Sequence, residues 1–85
     1  LPIAELEQAI SLDSNNCDAH HKLSALQVLE NDYDPALQQL LELVKRNRKF
    51  GDDAGRRHMV ALFNMLGDSN DLVAKYRNLL SMALN

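Results

Sequence analysis

The segment ENDYDPALQQLLEL, Glu30 to Leu43, returns about 36 residues later as LGDSNDLVAKYRNLL, Leu66 to Leu80. Each has a helix-ending Asn or Gly next to Asp, two further residues, and then a new helix with an apolar stripe. Setting Asn31 on Gly67 places Leu23 on Met59, Leu40 on Tyr76 and Leu43 on Leu79. A second comparison sets LEQAISLD, Leu6 to Asp13, on LLELVKRN, Leu40 to Asn47, with an offset of 34. Periods of this size mark arrays of helical hairpins. A single hairpin cannot bury its apolar stripe, so neighbouring hairpins stack and share a core.

Periodicity of 3.6 residues predicts five helices and no strand. The first spans Pro2 to Leu12, with Ile3, Leu6, Ala9 and Ile10 on one stripe and Pro2 in the first turn, where a missing N–H costs nothing. Asn16 is placed to cap a second helix, about Cys17 to Asn31, with Ala19, Leu23 and Leu26 inward, joined by His20 and Leu29. Asp34 as N-cap and Pro35 as first helical residue open a third helix reaching Asn47, whose apolar face is Leu37, Leu40, Leu41 and Val44. Asp52 or Asp53 caps a fourth helix that ends at Leu66, with Gly67 as its terminal glycine. A fifth runs from near Asn70 to Leu84. Short connections make successive helices antiparallel.

With 85 residues there is room for one small domain. Leu and Ala dominate, and the net charge of −3 with mixed signs argues against a nucleic-acid partner. The basic run Lys45 to Lys49 falls at a helix end, where cations complement the exposed carbonyls. No apolar stretch is long enough for a membrane span, no signal-peptide pattern opens the chain, and Cys17 is the single cysteine. The expected compartment is therefore the cytoplasm. No residues argue for catalysis, a cofactor or a metal. Cys17 has no resolving partner, and the adjacent His20 and His21 point about 100° apart on a helix. His58 lies far along the chain, and the acidic pairs sit at helix starts, where they complement the dipole.

The 34-residue offset resembles that of the tetratricopeptide repeat. Leu23, Ser24 and Ala36 match its leucine and small positions, and Ala9 matches a small position one repeat earlier. His20 takes the bulky first-helix position, Gln27 and Leu40 replace aromatics, Leu43 replaces an alanine, and Arg48 replaces the terminal proline. The run LLELVKRNRKFGDDAGRRHMVALFNMLGDSNDLVAKYRNLL is similar to the C-terminal helical region of bacterial thioredoxin-like co-chaperones, the YbbN/CnoX type or chaperedoxins. That resemblance implies an all-α, right-handed solenoid of antiparallel hairpins. Residues 1–85 would form a single repeat domain, separated from an N-terminal thioredoxin domain. It further implies protein partners, a chaperonin or other chaperones and unfolded clients.

In stacked hairpins the first helices line the concave face, which here offers His21, Ala25 and Val28, then Arg57, Ala61, Asn64 and Met65. Asp18 and two alanines spoil a carboxylate-gripping set, so an extended apolar peptide fits this face better. The last helix carries an apolar stripe that serves either as core or as a docking surface through Tyr76, Leu80, Met82 and Leu84. A structural alternative uses the exposed face around Ile3, Leu6 and Ile10 for homodimerisation, positioning a thioredoxin domain involved in redox homeostasis.

Overall fold

A computed structural model describes residues 2–85. Its helices follow one another along the chain: α1 Pro2–Leu12, α2 Cys17–Leu29, α3 Tyr33–Arg46, α4 Ala54–Leu66 and α5 Asp71–Leu84. Helices α2 and α3 make one hairpin and α4 and α5 the next, with α1 against α2. The element at the centre is α3, which packs on α2, α4 and α5. That position explains its composition: Ala36, Leu37, Leu40, Leu41, Leu43 and Val44 are all buried, more than one amphipathic stripe supplies. They pack with Met59, Leu62 and Phe63 of α4 and Val73, Tyr76 and Leu80 of α5 in one core.

The turn between α2 and α3 closes more tightly than the sequence pattern indicates. Asn31 takes a left-handed conformation (φ 59°), its N–H bonds the Val28 carbonyl and the Asp32 N–H bonds the Gln27 carbonyl. This pair of bonds satisfies two carbonyls that a helix end otherwise leaves open. As a result α2 stops at Leu29, and α3 begins at Tyr33 with Asp32 as N-cap. Asp34 and Pro35, expected to start the helix, lie inside its first turn, where proline's missing N–H is still harmless.

Leu29, expected inward, is 79% exposed, because the helix ends there and the turn carries the chain away from the core. Val60 is 37% exposed, while Met59, Leu62 and Phe63 carry the buried face of α4. Capping by Asn16 follows the sequence reading, its side chain accepting from the Ala19 N–H, and Asn70 caps α5 in the same way by accepting from the Leu72 N–H.

The corner before α4 holds three successive left-handed residues, Gly51, Asp52 and Asp53 (φ 57°, 58° and 65°). Asp53 occupies the N-cap position, but its carboxylate accepts from Arg56 Nε and not from the helix amides. Arg57 braces the same corner, donating from Nε to the Asp52 carbonyl (2.8 Å) and from Nη2 to the Gly51 carbonyl (3.0 Å). Just beyond it Gly55 lets α4 close on α3. A Cβ there would stand 2.9 Å from Val44 Cγ2 and 3.1 Å from the Leu40 carbonyl oxygen.

Buried polar groups tie the hairpins together. His20 is 3% exposed, with Nε2 2.9 Å from the Ser14 carbonyl and Nδ1 2.6 Å from the Gln39 side-chain amide. The carbonyl can only accept, so Nε2 carries a hydrogen, and a buried histidine with polar neighbours at both ring nitrogens fills the bulky repeat position. Tyr76 reaches back from α5 to the start of α3, donating its hydroxyl to Asp34 Oδ1 at 2.5 Å.

Candidate functional site

The first helices of the two hairpins, α2 and α4, both pack on α3 and leave a groove between them. Ser24, Ala25, Val28 and Leu29 line it from α2, Ala61, Leu62 and His58 from α4, and Leu40 forms part of its floor. Its volume is about 390 Å³. The side chains at 25 and 61 are methyl groups, so neither fills the space between the two helices. His58 is the one titratable group in the lining, and nothing in it is a carboxylate, lysine or arginine.

At one end of this groove His21 Nε2 lies 3.3 Å from His58 Nδ1, with ring planes 17° apart and centroids 5.1 Å apart. Phe50 meets the His21 ring edge-on at 5.8 Å. Burial holds the His58 imidazolium pKa below its ordinary value of 6.5, reinforced by the charges of His21 and Arg57. His58 therefore favours its neutral form, which accepts a hydrogen bond or shares one proton with His21.

Of the expected first-helix positions, Ala25, Val28 and Ala61 line the groove and His21 stands at its end. Asn64 and Met65 are exposed further along α4, Met65 by 56%. Arg57 is exposed but its guanidinium is engaged by the Gly51 and Asp52 carbonyls. Leu29 and His58 belong to the groove without having been singled out for it. The signal for His58 was in the repeat offset, which sets His21 on Arg57, the residue before it.

The C-terminal helix requires a correction. Tyr76 and Leu80 are 1% and 6% exposed and belong to the core, so they present no docking surface. The core packs α5 against α3, and the Tyr76 hydroxyl is directed to Asp34. Burial and the Asp34 carboxylate raise the Tyr76 pKa well above its ordinary 10.0. Leu84 is half-buried, with its carbonyl accepting from Arg48, which leaves Met82 as the open apolar side chain.

On the outer side of the first hairpin, Ile3, Leu6, Ala9 and Ile10 of α1 are only half-buried. Two shallow cavities lie there, one lined by Pro2, Glu5, Leu6, Lys22, Ala25 and Leu26 and the other by Pro2, Ile3, Leu26, Leu29 and Glu30. Among the described residues no helix is long and apolar enough to cross a membrane.

Sequential helical hairpins around a shared core, with a groove between successive first helices, define a helical-repeat module. The chain belongs to the tetratricopeptide repeat family, which it matches over residues 1–85. Such repeats are generally protein–protein interaction modules. Neither a curated protein nor a solved structure matches the chain.

Proposed function

We propose that this repeat module is the binding region of a thioredoxin-like co-chaperone. In this reading it engages chaperone partners or unfolded clients in the cytoplasm and performs no chemistry of its own. The groove between α2 and α4 carries the binding part of the proposal. A site lined by Ala25, Val28, Leu29, Ala61 and Leu62 rewards an extended apolar segment. Arg57 already serves its own corner, which argues against the grip of a terminal carboxylate. The co-chaperone assignment, and with it an accompanying thioredoxin domain, rests on the sequence likeness from Leu40 to Leu80.

The test is suppression of client aggregation by the intact chain, together with direct binding to a chaperonin. Saturable activity in either assay is expected. Failure in both, with the chain folded, contradicts the proposal.

The half-buried stripe of α1 and the cavities beside it favour one alternative, a structural role in which two copies pair through Ile3, Leu6 and Ile10. Sedimentation equilibrium separates the two, since the pairing reading requires a dimer whose population falls on Leu6→Glu substitution.

A further inference from the structure

We propose that His21 and His58 form a two-histidine site for a late first-row divalent cation, copper, nickel or zinc. The separation of the two nitrogens carries the argument. Two imidazole nitrogens bound tetrahedrally at ~2.0–2.1 Å from one zinc ion stand about 3.3 Å from each other. His21 Nε2 and His58 Nδ1 are 3.3 Å apart. The ring centroids, at 5.1 Å, are closer than a straight head-on contact of the two nitrogens permits. The lone pairs are therefore bent off the line joining the nitrogens, an offset that leaves room for a shared ion beside that line. A cation takes the place of the shared proton once the two rings, now 17° from parallel, rotate to converge on it.

The surroundings favour the same class of ion. Phe50 packs edge-on against the His21 ring and limits its rotation, so the ligand is partly preorganised. The neighbouring cation, Arg57, is held toward the Gly51 and Asp52 carbonyls. Imidazole donors select copper, nickel and zinc, whereas magnesium and calcium require oxygen. Among the described residues no group of three or more His, Cys, Asp or Glu side chains is placed to hold an ion. Water, or a side chain from a bound partner, completes the shell, and the ion exchanges readily.

The ligands come from α2 and α4, which each pack mainly on α3. A bound ion thus joins two helices across the end of the groove, and a ligand that binds only the folded chain raises its thermal midpoint.

The experiment titrates the intact, chelator-treated chain at neutral pH with zinc, nickel and copper salts in turn. It follows the histidine ring protons by NMR and the thermal midpoint. Saturation at one ion per chain is expected, with a raised midpoint and, for diamagnetic zinc, the His21 and His58 resonances shifted and those of His20 nearly unmoved. His21→Asn and His58→Asn should each weaken binding by at least roughly tenfold, the lower end of what loss of a mere supporting group costs, whereas Cys17→Ser should leave it unchanged. No saturation with any of the three ions, or saturation that follows Cys17 or His20, overturns the proposal. The resonances of the unsubstituted chain decide the matter if a variant fails to fold.

Discussion

At Gly55 one hydrogen atom separates a good fit from a collision. Alanine there gains roughly 1 kcal/mol of helix propensity. Its methyl would nevertheless meet the stiff Val44 side chain at 2.9 Å and a backbone oxygen at 3.1 Å. Overpacking of this kind costs about 1–3 kcal/mol, so Gly55→Ala should lower the urea midpoint without changing the slope. Tyr76 supplies a second prediction. Its folded-state pKa is raised above the ordinary 10.0 by burial and by Asp34. The native state therefore holds the hydroxyl proton more tightly than the unfolded chain does. That stabilisation is complete below pH 10 and is lost as pH rises from there toward the native value. Tyrosinate absorbance should show Tyr76 ionising only as the chain unfolds. The Tyr76–Asp34 bond could not be read from the sequence, where both residues had sufficient local roles, one in an apolar stripe and the other as a cap.

Among the elements, the contact between α2 and α4 holds a group whose burial makes it respond to acid. His58 has its pKa lowered by burial and by the positive neighbours His21 and Arg57. Other groups around the pair are the Phe50 ring and the buried, uncharged Ser24 and Met59 on the same helices. A base with a depressed native pKa binds fewer protons folded than unfolded. Its contribution is fully present above pH 6.5 and declines as pH falls from there to the native value. The slope from this group cannot exceed about 1.36 kcal/mol per pH unit. Urea unfolding between pH 7.5 and about 5 should therefore show falling stability, and His58→Gln should flatten the part that His58 supplies. Helix identity and order were legible because capping residues and apolar spacing agree along the chain. The start of α3 was not, because Asp34–Pro35 is good opening chemistry, yet the left-handed Asn31 turn fixes the helix to begin at Tyr33. The His21–His58 contact was half legible: the repeat offset brings the two positions close, but only the stacking of hairpins shows that they touch.

For the whole molecule, the repeat decides both the core and where the surface stays open. Ala25 and Ala61 face each other across the groove, so a long side chain at either should fill it while leaving the core intact. Ala61→Arg is expected to keep stability within about 0.5 kcal/mol, as surface substitutions do. It should also reduce client or chaperonin binding at least tenfold in a titration. Met82→Ser, on a side chain outside the groove, serves as the comparison and should leave binding unchanged. The candidate surface was legible through Ala25 and Ala61, whose small side chains on a first helix lie outside the core, and through Val28, which packs at the core's edge. Tyr76 and Leu80 were ambiguous because an apolar stripe looks the same whether it meets α3 or a partner. The bond from Tyr76 to Asp34 spans 42 residues, from α5 back to the start of α3. During synthesis the turn at Asp34 must therefore wait for the last helix to emerge before that bond can close. A contact of this sequence separation is expected to form after the folding transition state, so Tyr76→Phe should leave the refolding rate nearly unchanged and speed unfolding severalfold. The hydroxyl would thus set how long the finished module lasts rather than how fast it forms.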